Sequence, residues 1–239
     1  MAVQSRPAPK LFMVTSELPC PYLPGRFERK LVTELTGAGA QDQYELLSRA
    51  GFRRSHSIAY RPACTGCSAC VPVRIVVAEF QLAGSLARIR RRNSDLTLSI
   101  TLPRATREQY ALFGQYLDHR HGDGEMAGMD FRDYRAMVED TAVDSRMLEL
   151  RDSSDTLLAA CLADWSSDGV SAVYSFFAPE AARRSLGSDM ILRLIEVARN
   201  DHLPYVYLGY WIQNSRKMAY KSRFRPLEVF GAAGWRLLP

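Results

Sequence analysis

Short apolar segments in the second half of the chain predict consecutive strands. Alternation of apolar and polar residues, and short apolar runs between polar turns, are both typical of strands. The segments with these patterns are 146–151, 157–165 and 170–177. We therefore predict an antiparallel meander. A helix from about 185 to 200 and a strand from 204 to 211 follow, and we expect that strand to pair in parallel with the third meander strand.

Capping residues predict a helix in the first fifty residues. Asp42 and Glu45 have the spacing of a capping box, and Gly51 is a typical helix stop. We expect Tyr44, Leu46 and Leu47 to supply the apolar side of this helix.

Two more helices are predicted in the middle of the chain. Thr106 and Gln109 form a capping box for the first, and Asp130 begins the second, which ends near Asp140. A loop over residues 119–124 separates them. The first helix has apolar residues at spacings of three and four, which predicts its buried face: Tyr110, Phe113 and Leu117.

A cysteine-rich turn lies between two further predicted strands. Residues 57–61 and 71–80 have strand patterns, the second with valine and isoleucine at alternate positions. Between them stands Cys64-Thr-Gly-Cys67-Ser-Ala-Cys70, in which thiols at short steps can converge on one ion.

Composition argues against two classes of protein. The chain has 239 residues, 47% of them hydrophobic, enough for one large or two modest globular domains. Its longest apolar run, 157–163, is far shorter than the roughly 18 residues of a membrane span. The first ten residues lack the apolar core of a secretory signal, and five cysteines, an odd number, do not suit a disulfide framework. We therefore expect a cytoplasmic protein without membrane contact.

Positive charge is concentrated in three short stretches. The net charge is +5 and the isoelectric point is about 9.0, which is compatible with a nucleic-acid partner. Aromatic residues lie among the basic residues of the last stretch, which favours a polyanion over the alternative of a merely solvated surface. The stretches are Arg53 with Arg54, residues 88–92, and the group Arg216, Lys217, Lys221, Arg223 and Arg225.

The order meander, helix, parallel strand predicts an α+β protein whose C-terminal domain has the acetyltransferase-like (GNAT) fold. We expect an N-terminal cysteine-motif domain over residues 1–103, packed on a GNAT-like domain over residues 104–239. In that fold an acyl donor lies where the parallel strands diverge, and the following helix offers its N-terminus to a phosphate. The loop at 183–188 contains only Gly187, which makes it a poor coenzyme A site.

Several sequence blocks together resemble the arginyl-tRNA–protein transferase family. They are residues 44–55, 60–74, 171–179, 184–187, 207–212 and 217–228, so the likeness runs over nearly the whole chain. The Cys-x2-Cys-x2-Cys form is similar to the bacterial branch of that family. The resemblance implies transfer of leucine from leucyl-tRNA to the N-terminal Asp or Glu of a protein, which marks that protein for degradation, by an enzyme that is a monomer. Arginine as the transferred residue, or a coenzyme A-dependent acetyltransferase, are the alternatives.

Polar residues on the predicted strands and near the C-terminus are the candidates for chemistry. We expect the acceptor amine and the developing oxyanion to meet Asp164, Tyr174 and Tyr220, with Lys221 as a further oxyanion contact. A solvent-facing carboxylate for Asp164 and a core position for Tyr174 are the structural alternatives. Arginine suits the acidic side chain of the acceptor, and the candidates are Arg54, Arg74 and Arg223. The predicted tRNA phosphate contacts are Arg88, Arg90, Arg91, Arg92, Lys217 and Lys221.

The cysteines leave two interpretations open. Cys20, Cys64, Cys67 and Cys70 have a spacing similar to that of iron–sulfur ligands, and zinc is the other metal that thiols favour. The alternative is a reduced, metal-free set that shapes the loop. Neither interpretation gives catalysis a cofactor. Cys161, in an apolar strand, is expected in the core.

Overall fold

The computed structural model describes residues 11–120, 126, 128–215 and 217–239. The predicted loop at 119–124 falls largely outside these residues, as does Arg216. The helices are α1 Ala40–Arg49, α2 Gly84–Arg92, α3 Arg107–Arg120, α4 Phe131–Glu139 and α5 Leu186–Asn200. The strands are β1 Met13–Val14, β2 Leu18–Pro19, β3 Phe27–Glu28, β4 Lys30–Glu34, β5 Arg53–Ser55, β6 Ile58–Pro62, β7 Val71–Val76, β8 Thr97–Thr101, β9 Ser145–Arg151, β10 Leu157–Ser166, β11 Gly169–Phe177, β12 Tyr205–Trp211, β13 Leu227–Gly231 and β14 Gly234–Leu237. Short 3₁₀ helices cover Pro179–Arg184 and Ala219–Arg223.

An eight-stranded sheet forms the centre of the protein, in the order β14-β13-β7-β12-β11-β10-β9-β8. The strands β9, β10 and β11 are antiparallel neighbours, α5 follows, and β12 pairs in parallel with β11. This confirms the predicted meander, helix and parallel strand, and with them the α+β, GNAT-like fold.

The parallel pair diverges soon after it begins. Hydrogen-bonded pairing joins β11 to β12 only from Gly169–Tyr205 to Ser171–Tyr207. Beyond that point each strand has an irregularity: Val173 is an extra residue opposite β10, and Leu208 is an extra residue opposite β7. Bulges bend a strand and increase its twist, so both strands turn away from each other and leave a cleft.

Helices cover both faces of this sheet because β10 is apolar on both sides. Ala159, Cys161 and Ala163 belong to the core with α2 and α5, which confirms the expected burial of Cys161. The alternate residues Ala160 and Leu162 pack against α3 and α4. Alternating strand positions face opposite sides, so a continuous apolar run is what a strand between two layers needs.

A small sheet of order β1-β4-β6-β5 and the helix α1 share an apolar cluster, which also includes Val143 from the segment before β9. The prediction that Asp42 caps α1 is wrong: the helix starts at Ala40, with Gly39 as its N-cap. Of the residues expected on its apolar side, Tyr44 is buried and Leu47 packs against the same cluster, whereas Leu46 is 66% exposed.

The caps predicted for the other helices are confirmed. Thr106 and Gln109 accept hydrogen bonds reciprocally at the start of α3, and Asp130 and Asp133 do the same for α4.

Two elements of the central sheet come from the first half of the chain. The predicted strand 71–80 ends at Val76, and this strand, β7, lies between β12 and β13. Strand β8 forms the opposite edge. Strands from both sides of position 103 thus share one sheet, and the division into domains at 103 and 104 stays a prediction. None of the helices in the described part of the chain is long and apolar enough to span a membrane.

Candidate active site

The cleft between β11 and β12 contains the side chain of Arg53, from strand β5. Its Nη2 donates to the carbonyl oxygens of Ala172 at 3.0 Å and of Val173 at 2.8 Å. Both carbonyls lie just beyond the last residue of β11 that pairs with β12. The guanidinium therefore donates to carbonyls of β11 at the point where β12 no longer pairs with it.

Gly209 makes room for this guanidinium on the other side of the cleft. A Cβ at position 209 would lie 2.5 Å from three guanidinium-end atoms of Arg53, and the φ of +70° there also favours glycine. No other residue type would fit between β12 and Arg53 without moving one of them.

Tyrosines surround Arg53 in place of a carboxylate. Arg53 forms no ion pair with any residue that the structure describes. Burial lowers its pKa, but the nearby Tyr60, Tyr210, Tyr22 and Tyr220 outweigh burial and raise that pKa. Arginine stays charged in proteins, so the cleft contains a permanent cation without an acidic partner among these residues.

Lys221 lies in the same region and not on the basic surface. Its side chain is 4% exposed, and Nζ donates to the carbonyl oxygen of Tyr210 at 2.6 Å. Burial, followed by the charge of Arg53, lowers the pKa of Lys221 to about 7. The structure thus places Lys221 beside Tyr210 and near Arg53, apart from the other predicted phosphate contacts.

The two candidate tyrosines both lie near Tyr116 of α3. Tyr174 packs edge-on against Phe113 of α3, with ring centroids 5.9 Å apart. Burial, and then the proximity of Tyr116, raises the pKa of Tyr174. Burial also raises the pKa of Tyr220, with Tyr116 second, although one side of this residue remains open to solvent. Tyr220, Lys221 and Arg53 thus lie close together, and Tyr116 lies near both Tyr220 and Tyr174.

Asp164 is placed in a buried ion pair with Arg54. Its Oδ2 accepts from Arg54 Nε at 2.7 Å, and its Oδ1 accepts from Arg54 Nη2 at 2.7 Å and from Ser145 Oγ at 2.6 Å. Both side chains of the pair are fully buried. Neither a solvent-facing carboxylate at 164 nor a free acceptor-binding guanidinium at 54 describes this geometry. A catalytic role for Asp164 stays a prediction.

The other two arginines expected to bind the acceptor differ in their surroundings. Arg74 is mostly buried, pairs with Glu228 at 2.7 Å and stacks between the rings of Tyr205 and Trp235. Arg223 is exposed and donates to Ser85 Oγ at 3.0 Å. Arg74 therefore has its own carboxylate, and Arg223 lies against the start of α2.

The predicted phosphate contacts lie mainly on α2. The arginine stretch forms this helix, which the sequence pattern did not reveal because only Leu86 and Ile89 are buried. Arg90 pairs with Glu196 at 2.8 Å, and Arg92 donates to the carbonyl oxygen of Arg183. The exposed side chains are Arg88, Arg91, Arg92 and Lys217.

The cysteine motif connects β6 of the small sheet to β7 of the central sheet, in the predicted turn between strands. Burial, and then the proximity of Cys20, Cys64 and Cys67, raises the pKa of Cys70 to about 12, so the four thiols are neighbours. Even so, across the ranges that the structure covers, no three His, Cys, Asp or Glu side chains are arranged to hold a metal ion.

Arg53 is the cleft residue that the sequence pattern does not single out, because in the sequence it is only one half of a basic pair. The signal was its adjacency to Arg54, because successive residues of a strand point to opposite sides. One arginine of such a pair can meet Asp164 while the other enters the cleft.

Two family profiles match this chain. The N-terminal profile of arginine-tRNA-protein transferases matches residues 18–88, and the C-terminal profile matches residues 108–231. The chain is 57% identical over 228 residues to an aspartate/glutamate leucyltransferase of Paramagnetospirillum magneticum, covering 95% of this chain and 93% of the relative. It is 52% identical over 239 residues to the same enzyme of Parvibaculum lavamentivorans, covering 100% and 99%.

A solved structure with a similar fold is the C-terminal domain of a putative lysylphosphatidylglycerol synthetase from Agrobacterium fabrum. The similarity covers 69% of this chain and 61% of that one, at 17% identity and a TM-score of 0.49.

Replacing Asp164 by Asn should destabilise the protein. The change leaves the buried guanidinium of Arg54 without its counter-charge, which costs roughly 3 kcal/mol in the free energy of unfolding measured by urea denaturation. Asp144→Asn is the control, because Asp144 forms an exposed pair with Arg146, and exposed pairs are worth about 1 kcal/mol or less. A variant as stable as the parent that has lost activity would assign Asp164 to the chemistry instead.

Lys221 should make stability depend on pH. Its pKa is lower in the folded than in the unfolded chain, so the unfolded chain holds the proton more tightly and stability rises above pH 7. Between pH 7 and pH 9 the protein should gain on the order of 1 kcal/mol per pH unit in unfolding free energy relative to Lys221→Met. The exposed Lys217→Met variant should keep the parental slope. Parallel curves for the parent and Lys221→Met would contradict the assignment.

Proposed function

Because the chain belongs to the arginine-tRNA-protein transferase family, we propose that it transfers leucine from leucyl-tRNA to proteins whose N-terminal residue is Asp or Glu. The observation that carries this function is the identity of more than half the residues, over nearly the full length, with aspartate/glutamate leucyltransferases. The chain is an aminoacyltransferase. Degradation of the tagged protein is the expected outcome of the transfer.

The cleft supports an acyl donor other than coenzyme A. Arg53 donates hydrogen bonds to the backbone carbonyls of Ala172 and Val173, which lie in the region where the GNAT fold receives its acyl donor. Gly187, the single glycine of the segment 183–188, lies in the first turn of α5, and a Cβ there would lie 2.9 Å from the ring of Phe177. Both features argue against the coenzyme A alternative.

The reaction needs alignment more than strong acid or base. The acceptor nitrogen attacks the ester carbonyl, the N–C bond forms, the C–O bond to the terminal ribose breaks, and the proton lost by the amine ends on the ribose oxygen. An α-amino group has a pKa of about 8, so roughly a tenth of it is already neutral near pH 7. Holding both substrates in register can supply several kcal/mol of the barrier.

The residues at the cleft provide for the charge that develops on the carbonyl oxygen. We propose that Tyr220 and Lys221 stabilise this oxyanion and that Tyr174 shapes the wall beside it. Asp164 then acts at a distance, because its pair with Arg54 fixes strand β5 and so the direction in which Arg53 points.

The donor tRNA is proposed to bind along α2. Arg88 and Arg91 are exposed there, Arg92 lies at its C-terminal end, and Lys217 is exposed nearer the C-terminus. Phosphate contacts of this kind release counter-ions, so binding weakens as the salt concentration rises. Arg90 takes part less directly because it is paired with Glu196.

We further propose that Cys20, Cys64, Cys67 and Cys70 bind an iron–sulfur cluster or a zinc ion that is structural. Thiolates favour both. The thiols as placed do not form a ligand set, so loading would have to draw them together, and no step of the transfer depends on it. Protein purified without oxygen should contain about one equivalent of zinc or several of iron, with visible absorbance in the latter case. A metal-free protein with full activity would leave only the loop-shaping role.

A transfer assay tests the function directly. Leucyl-tRNA and arginyl-tRNA are each offered with peptides that begin with Asp, Glu, Lys or Arg, and acetyl-coenzyme A serves as the control donor. We expect leucine to be added to the Asp and Glu peptides alone, since the family relatives are aspartate/glutamate leucyltransferases. Transfer of arginine would contradict the proposal that leucyl-tRNA is the donor, and acetylation of a peptide would contradict the proposed class of reaction.

A further inference from the structure

We infer that Arg53 binds the side-chain carboxylate of the acceptor's first residue and thereby determines its specificity for Asp and Glu. This inference rests on the proposed function. An enzyme that selects acidic N-termini needs a cation beside the place where the α-amino group reacts, and the fork of a guanidinium matches a carboxylate better than an ammonium does.

The ion pairs of the chain narrow the choice among the arginines near the small sheet and the cleft. Arg54 is saturated by Asp164, and Arg74 is held by Glu228 and two aromatic rings. A carboxylate from the substrate would have to displace these internal partners. Arg53 has no acidic partner among the described residues, and its hydrogen bonds go to backbone carbonyls instead.

The position of Arg53 also suits this role. It enters the cleft between β11 and β12, where the acyl donor of the fold is received. Tyr220 is close enough to contribute to the raised pKa of Arg53, and Arg53 is close enough to contribute to the lowered pKa of Lys221. Arg223, in contrast, is exposed against Ser85 at the start of α2.

The surroundings of Arg53 would strengthen the binding of a carboxylate. The side chains of Arg53, Tyr22 and Tyr60 are only partly buried, and Tyr220 is 38% exposed, so an extended peptide can approach from this side. A cation that is partly removed from water without a counter-charge is costly, and an incoming anion relieves that cost. Tyrosine hydroxyls can donate further hydrogen bonds to the same carboxylate.

The test compares acidic acceptors with their neutral isosteres. Transfer of leucine to peptides beginning with Asp, Glu, Asn and Gln is measured for the parent, Arg53→Gln and Arg53→Lys. For the parent we expect a preference for Asp over Asn and for Glu over Gln. In Arg53→Gln the ratio of kcat/KM for Asp over Asn should fall roughly ten- to hundredfold, mainly through KM for the acidic peptide, because a charge-assisted hydrogen bond is lost. Arg53→Lys should retain part of the preference.

The control variants separate recognition from structure. Arg223→Gln should leave the ratio unchanged. Gly209→Ala keeps the arginine but pushes its guanidinium out of place, so it should reduce the same ratio. Gly37→Ala, with a similar φ of +73° and open space around it, controls for backbone strain.

The outcomes are distinct. An equal loss of transfer to acidic and neutral peptides in Arg53→Gln would make Arg53 a structural residue and overturn the inference. A parent enzyme that transfers leucine to no peptide would instead overturn the proposed function. If Arg53→Gln fails to fold, as judged by circular dichroism, the ratio in Arg53→Lys and Gly209→Ala decides in the same way.

Discussion

The divergence of β11 from β12 is the constraint on which the rest of the structure depends. Two parallel strands that separate after three paired residues leave backbone carbonyls without a partner strand. Such groups are costly to bury unless something donates to them. In this chain the donor is a guanidinium from another sheet, that of Arg53. The small sheet, the glycine at 209 and the tyrosines around the cleft are all arranged to bring that one group to those carbonyls.

The distribution of acidic partners decides which cations remain for substrates. Asp164 holds Arg54, Glu228 holds Arg74 and Glu196 holds Arg90. Each of these pairs fixes one element against another, and pairing removes the arginine from competition for a ligand. Among the cations without an acidic partner in the described residues, Arg53 and Lys221 lie in the cleft and Arg88 and Arg91 lie on the surface of α2. Their positions match an enzyme with one acidic acceptor and one polyanionic donor.

Much of the fold could be predicted because its signals are local. Alternation and short apolar runs predict β9 to β12, the capping box of Thr106 and Gln109 predicts α3, and Asp130 predicts the start of α4. The prediction fails where the local signal is weak. Asp42 lies inside α1 and does not cap it, and α2 was not predicted because this arginine-rich helix has only two buried apolar positions. The site could be predicted only in part. Tyr220 and Lys221 are adjacent in sequence, but no local pattern shows that Arg53 crosses to β11, since that contact spans more than a hundred residues.

The cysteine motif gains a role from its place between the two sheets. It leads from β6 to β7. Strand β6 pairs with β5 so that Tyr60 lies opposite Arg53, and β7 pairs with β12 so that Val73 lies opposite Gly209. The two strands that hold Arg53 and its glycine are thus each one strand away from an end of the same turn. The turn that carries the thiols therefore joins the strand beside Arg53 to the strand beside Gly209. Its connection to the cleft is covalent and short, and this connection does not depend on a metal.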